Sequence, residues 1–374
     1  MATRNLALAL LFGSLSLSPV SSYHQCSSEE ERSHPHLCSL LDLANDDSVS
    51  LAKEFKRCHF SAVIDDDFYS AGIQPRELIN ESNKVVGGGR SKSVPTVVAH
   101  GMGDSCFNDG MKSVTKAIGD RTNSYATCIP TGSNIAEDTV NGYLLDMDSS
   151  VDVFAEGVKA DGELSGGFNA VGLSQGNALI RGYIQKYHGK EGYPLVKTFM
   201  SICGVNAGIG AFPNCDPHGG AMGTICRGLA EGLGSLAYNS FVQKNLFQAN
   251  YYRDPTRTES PEYKKYSQLA QWNNEGDDID HARNENFAKT ESYVWIMATD
   301  DTIVWPKTGE IWEAMDPADP FHTLLPYNET KWFKEDTFGL AAADRAGKNH
   351  FESFEGQHIR FTKDELMGWV DKYF

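Results

Sequence analysis

The chain is short of positive charge. Lys and Arg number 33 against 50 Asp and Glu, a formal net charge of −17 at pH 7. Such a surface repels phosphate backbones and anionic headgroups, which argues against nucleic acid as a partner. No C-x-x-C pair occurs among the eight cysteines, so neither a zinc ribbon nor thioredoxin-type chemistry is expected. The 35 glycines follow no three-residue period, which rules out a collagen-like chain. There is no internal repeat and no long low-complexity tract. Beyond the first 22 residues no stretch approaches the roughly 20 apolar residues a spanning helix needs, so no transmembrane segment is expected. What is present suits a large buried core: 374 residues, 40% of them hydrophobic and 11% aromatic.

Residues 1–22 carry one basic residue, Arg4, then an apolar run from Leu6 to Leu17, then Val20, Ser21 and Ser22. This is the layout of a secretory signal peptide. It predicts a lumenal or extracellular location. The cysteines fit that oxidising route. On it, the sequons at Asn80 and Asn328 become glycan acceptors. Residues 23–93 form a polar, acidic extension containing Cys26, Cys38 and Cys58 and closing in a Gly-rich linker over 85–93. His24, His34, His36 and His59 lie among those cysteines at irregular spacing, which fits a solvated, disulfide-tied segment better than a metal site.

From Val94 to the C-terminus, residues 94–374, strand and helix patterns alternate. Short β-branched or apolar runs at 96–99, 126–129, 168–172, 196–202, 293–298 and 351–354 read as strands. Helical periods fall over 107–118, 147–159, 175–188 and 363–373. The alternation predicts an α/β fold with a mostly parallel sheet covered on both faces. Residues 205–290 break the pattern and read as helical and loop-rich.

Candidate chemistry gathers at strand ends. Gly172-Leu173-Ser174-Gln175-Gly176 sits between a strand and a helix, the context a nucleophile elbow requires. Glycines on both sides let a strand turn straight into a helix without clashes, which lifts the serine hydroxyl above the sheet edge. A serine needs a base and an orienting carboxylate, in the order Ser, Asp, His. Asp300 and Asp301 follow one strand and His358 follows the next, so both lie at the edge carrying Ser174. His281 and His322 lie in no such loop, and His350 is expected to precede its strand at the opposite edge. His100-Gly101-Met102-Gly103-Asp104 follows the first strand, and the Met102 and Gln175 amides are the expected oxyanion donors.

These motifs resemble those of the palmitoyl-protein thioesterase family of the lysosome. The resemblance rests on His100-Gly101-Met102-Gly103-Asp104-Ser105-Cys106, on 169–176, on 248–255, on Asp301-Thr302-Ile303-Val304 and on Glu355-Gly356-Gln357-His358. It implies an α/β-hydrolase with a lid-like helical insertion before the late strands, here residues 205–290, forming a groove for a fatty chain. It implies Ser174 as nucleophile, Asp301 rather than Asp300 as orienter, His358 as base, and a Cys215–Cys226 bridge within the insertion. Two departures stand out. Cys106 is followed by Phe107 where the family usually has a second cysteine. A family disulfide near the nucleophile is lost, with Phe154 and Tyr187 near the expected places. Partners for Cys26, Cys38, Cys58, Cys106, Cys128 and Cys203 stay open.

The expected activity is removal of long-chain fatty acyl groups such as palmitate from S-acylated protein cysteines, with no metal or organic cofactor. The substrates would be S-palmitoylated proteins or peptides and fatty acyl thioesters. A lumenal lipase or carboxylesterase for oxygen esters is the alternative within the fold, and a non-catalytic lipid-binding relative the alternative outside catalysis. Phe212, Leu229, Leu233, Leu236, Phe241 and Leu246 supply apolar surface in the insertion, for a groove or for ordinary core.

Overall fold

The structure, a computed structural model, describes residues 94–211, 213–214, 217 and 237–374. The signal segment, the extension with Asn80, and the expected Cys215–Cys226 bridge lie outside the described residues.

Strands β1 (Thr96–Ala99), β2 (Ala126–Cys128), β3 (Phe168–Leu173), β4 (Val196–Ile202) and β5 (Ser292–Ala298) are followed by an antiparallel pair, β6 (Ala314–Met315) and β7 (Leu324–Leu325), and then by β8 (Asn349–Phe354). Six of them build one sheet in the order β2-β1-β3-β4-β5-β8, parallel throughout. Because successive side chains point to opposite faces, each central strand feeds two cores. Val97, Phe199, Tyr293 and Trp295 pack on one side, and Val98, Met200, Val294 and Ile296 on the other. Every residue of β3 is buried, as befits a strand covered on both faces.

Helices α3 (Met147–Ala160) and α4 (Gly176–Tyr187) cover the first face, and α1 (Asp109–Thr122) and α5 (Lys363–Tyr373) the second. Helix α1 starts two residues after the expected Phe107. It runs on to Thr122, where Asn123 turns left-handed (φ 50°) and its N–H closes on the Gly119 carbonyl. Helix α2 (Ile135–Leu144) is absent from the sequence-based assignment. Its signal is the pair Asn134 and Glu137, whose amide N–H donates to the Asn134 side chain. His350 is also corrected: it is the second residue of β8, paired with Val294, and does not precede the strand. It still lies toward the end of β8 remote from Phe354.

Between β4 and β5 the described part of the insertion is a set of short helices, Ser240–Asn245, Phe247–Asn250, Pro261–Tyr266, Gln268–Trp272 and Ala282–Ala288. Caps at close intervals keep them short: Asn239, Ser260 and Ser267 each accept an amide at a helix start. A buried polar knot ties them down. Glu275 accepts from Arg253 at 2.9 Å, from Tyr263 at 2.7 Å and from Asn273 at 3.0 Å.

Cys106, after β1, is bridged to Cys128 at the end of β2, and Cys203 is a buried free thiol. Phe154 and Tyr187 pack against Tyr183 instead of carrying a bridge. Among the described residues no helix is long and apolar enough to cross a membrane.

Candidate active site

Ser174 follows the last residue of β3 and is separated from α4 by Gln175 alone, with a left-handed backbone (φ 52°) that strains any residue but glycine. Its neighbours explain the motif. A Cβ on Gly176 would stand 2.3 Å from the Ala99 carbonyl oxygen, and one on Gly172 would stand 2.2 Å from Asn177 Oδ1. The turn is thus held on both sides by backbone approaches that only glycine allows. Asn177 locks it further by donating to the Ser174 carbonyl at 2.9 Å and the Ile202 carbonyl at 3.0 Å.

The loops after β5 and β8 meet this serine. His358 Nε2 lies 2.7 Å from Ser174 Oγ, and His358 Nδ1 lies 2.5 Å from Asp301 Oδ2. Asp301 Oδ1 accepts the Ile303 and Val304 amides at 2.7 and 2.9 Å, so the carboxylate is fixed from its own loop. Burial raises the Asp301 pKa. The His358 bond and charge and the Val304 amide outweigh it and hold the value at about 2. Asp300, the other candidate, is exposed, and its amide donates to the Gly356 carbonyl at 2.9 Å.

The loop after β1 comes alongside. A Cβ on Gly101 would touch Ser174 Cβ at 3.2 Å, and Met102 and Ser174 line the same cleft. Neither the Met102 nor the Gln175 N–H bonds to another described residue, so both remain available as donors. The Gln175 side chain is anchored: its Nε2 donates to the Gly142 carbonyl at 2.7 Å, and its Oε1 accepts from Gln248 and Tyr251.

The cleft leading from Ser174 encloses about 570 Å³, counted out to its solvent opening. Val205, Ile209, Ala211, Tyr251, Ile303 and Val304 give it mainly apolar walls. Of the apolar group expected from the sequence, the two described members, Phe241 and Leu246, do not line it. Leu246 is buried core, Phe241 is half-buried and away from the cleft, and Phe212, Leu229, Leu233 and Leu236 lie outside the described residues. The region 205–290 does contribute, through small or aromatic residues that break helical periodicity.

Known proteins agree with this architecture. Residues 95–358 match the family model described as palmitoyl protein thioesterase. The chain belongs to the palmitoyl protein thioesterase family. Palmitoyl-protein thioesterase 1 of Caenorhabditis elegans is 32% identical over 288 residues, covering 76% of this chain and 93% of that protein. Palmitoyl-protein thioesterase 3 of Dictyostelium discoideum is 29% identical over 212 residues, 55% of this chain and 66% of that protein. Among solved structures, an esterase of Pyrobaculum calidifontis gives a TM-score of 0.39 at 12% identity, covering 76% of this chain and 77% of that one. The parallel sheet covered on both faces, the strand–turn–helix that carries Ser174 and the acid and histidine loops after later strands make the fold of this family member that of an α/β-hydrolase.

Among the described residues two clusters have side chains spaced as metal ligands, namely Cys203, Asp301, Glu310 and His358, and His100, Cys106 and Asp138. In the first, both His358 nitrogens are engaged by Asp301 and Ser174. In the second, Cys106 is tied up in its disulfide. Neither offers a free donor set.

Two residues escaped the sequence reading. Asp138, on α2, is fully buried beneath the first loop. It accepts from Ser105 Oγ (2.9 Å), the Cys106 amide (2.9 Å) and the Thr131 amide (2.7 Å), and lies 3.2 Å from His100 Nε2. Burial pushes its pKa up, but His100 and these amides pull it down to about 2. Glu310 is equally buried, beside Asp301. Neither stands in a local motif, so no spacing signals them.

Proposed function

We propose that this chain hydrolyses long-chain fatty acyl thioesters of protein cysteines. The observation that carries the reading is the continuous set Ser174–His358–Asp301 opening into an apolar cleft, in a member of this family. Ser174 Oγ attacks the thioester carbonyl while His358 Nε2 takes its proton. Asp301 holds Nδ1–H of the same ring, fixing the tautomer and stabilising the imidazolium. The Met102 and Gln175 amides receive the developing oxyanion. The C–S bond breaks, and His358 returns the proton to the departing cysteine thiolate. Water then attacks the acyl-Ser174 ester with His358 as base, releasing the fatty acid and restoring the serine.

A thiol ionises near pH 8.5, so it leaves without the strong protonation an amine demands. Specificity should therefore come from the chain, each buried CH₂ contributing about 0.8 kcal/mol. The test is kcat/KM for S-acyl peptides from short chains to palmitoyl, beside the matched O-acyl serine peptides. The reading expects a rise with chain length and a preference for the thioester. A flat profile, or preference for the oxygen ester, would favour the lipase alternative, to which the apolar cleft also lends itself.

The signal-like residues 1–22 support a lumenal or secreted site of action, and the family resemblance supports a lysosome or equivalent compartment. An exposed Asn328 at a sequon and a disulfide in the catalytic domain suit that route. Peptide mapping of secreted protein, with and without glycosidase, would test removal of the signal and glycan occupancy at Asn80 and Asn328.

A further inference from the structure

Glu310 is a second buried carboxyl that the hydrolytic steps above do not use. It lies in the single turn Lys307–Ile311 between β5 and β6, with no exposed surface. Its Oε2 accepts the Ala298 amide at 3.0 Å, at the very end of β5, while Oε1 is sealed from solvent and receives no hydrogen bond. Its backbone is pinned too, the Glu310 carbonyl accepting Asn206 Nδ2 at 2.7 Å. One side-chain polar atom from each of Cys203, Asp301, Glu310 and His358 lies within 4.8 Å of the other three. Among the described residues Glu310 forms no ion pair with a lysine or arginine, and none is among the charges that act on it, so an ionised Glu310 would stand unpaired beside the Asp301 carboxylate. Two carboxylates at such range cannot both carry charge cheaply in a buried site. One of them must hold a proton. Asp301 already has the His358 ring and two backbone amides stabilising its charged form, whereas Glu310 has a single amide. The proton therefore belongs on Glu310.

We propose that Glu310 is a positioning residue for this site: its protonated carboxyl donates a hydrogen bond to Asp301 and so fixes the carboxylate that orients His358. The inference rests on the hydrolase reading of Ser174, His358 and Asp301. Burial first, then the bond to Asp301 and its charge, push the Glu310 pKa well above the usual carboxylate range, in line with that geometry. The cluster closes on itself. Ile359, the residue after His358, donates its amide to Cys203 Sγ at 3.3 Å, and the Cys203 thiol faces Glu310. Asp301 and the loop carrying His358 are thus braced from one buried group.

The test compares Glu310→Gln with Glu310→Met, both checked for a cooperative thermal transition. Gln keeps a neutral donor toward Asp301 and an acceptor for Ala298, whereas Met keeps the volume alone. For Gln, kcat for an S-palmitoyl peptide should stay within about threefold of the parent, and the acid limb of its kcat/KM profile should not move. For Met, kcat should fall by about tenfold or more with KM nearly unchanged, the range expected when a buried hydrogen bond to a charged group is lost. Two readouts separate this claim from the substrate assignment. The rate of fluorophosphonate labelling of Ser174 requires no thioester, and the proton-NMR resonance of His358 Nδ1–H requires no substrate at all. Both should match the parent in Gln and change in Met. A Gln variant as impaired as Met would overturn the proposal. So would a Gln profile whose acid limb drops, since that reports removal of a negative charge. A Met variant indistinguishable from the parent in labelling rate and NMR resonance would overturn it as well. A parent that labels at Ser174 but spares S-palmitoyl peptides would instead fail the substrate reading alone.

Discussion

Among the described residues two histidines meet a buried aspartate, one histidine at the cleft mouth and one fully enclosed, and their difference is instructive. His358 and Asp301 meet at 2.5 Å, His100 and Asp138 at 3.2 Å, and both aspartates are held at about pKa 2. What separates them lies at the other ring nitrogen. His358 presents Nε2 to the Ser174 hydroxyl, at the mouth of a cleft. His100 turns Nδ1 onto the Gly101 carbonyl at 2.9 Å and is buried. A carbonyl has no proton to give, so the second pair can orient a loop but cannot activate a nucleophile. Asp138 gathers Ser105, Cys106 and Thr131 around itself and so moors the segment carrying Met102. The same two residue types thus serve reaction in one place and architecture in the other.

The contrast is open to breakage, beginning at the proposed catalytic pair. Ser174→Ala should lower kcat for an S-palmitoyl peptide by about 10⁴-fold or more, and Asp301→Asn by about 10⁴-fold, each with little loss of thermal stability. Steady-state kinetics beside melting curves would check both. Asp138→Asn should do the reverse. It removes one charge of a buried pair and leaves His100 uncompensated, at a cost of about 3–5 kcal/mol in unfolding free energy. Its kcat in the surviving folded fraction should fall far less than that of Asp301→Asn. Equal kinetic damage from the two asparagines would erase the distinction.

A smaller effect is expected from the neighbouring bridge. Replacing Cys106 and Cys128 by serine opens a link across a sequence separation of 22. By loop entropy this removes about 3 kcal/mol, measured by chemical denaturation. The smallest effect concerns pH. Although burial lowers it, the His100 pKa is raised above 6.5 overall by the Asp138 bond and charge. Its contribution to stability is complete below 6.5 and fades as pH rises through the raised value. The Asp138 contribution is complete above 3.8 and fades as pH falls toward about 2. Both are present together between those limits, so the melting temperature should be highest at mildly acidic pH. In His100→Asn the decline on the alkaline side should flatten. An unchanged slope in that variant would show that other groups carry it.

The elements that could be read in advance are those governed by local pattern. Short apolar runs mark all six strands of the main sheet, and Gly172, Gly176 and the order Ser174, then Asp300 or Asp301, then His358 follow from turn sterics and chain topology, the family resemblance singling out Asp301. What escaped depends on distant partners. Asp138 looks like an ordinary acidic residue in the first turn of a helix, and its role appears only when α2 is folded under the loop after β1. Glu310 sits in a single turn with no periodicity, and its meaning arises from the ends of β4 and β5 converging. The cleft walls were missed for a related reason. Val205, Ile209 and Ala211 lie in irregular backbone, whereas the leucine- and phenylalanine-rich pattern drew attention to Phe241 and Leu246, which line no cleft.

The central claim is that Ser174 itself carries the acyl group between the two half-reactions. Mixing the full chain with an S-palmitoyl peptide, quenching in acid within a turnover and mapping by mass spectrometry tests it directly. The account predicts a palmitoyl adduct on the peptide containing Ser174, absent from Ser174→Ala and accumulating in His358→Ala only if attack outlives loss of the base. Thioester hydrolysis that proceeds in Ser174→Ala, or a palmitoyl adduct confined to another residue such as Cys203, would contradict it.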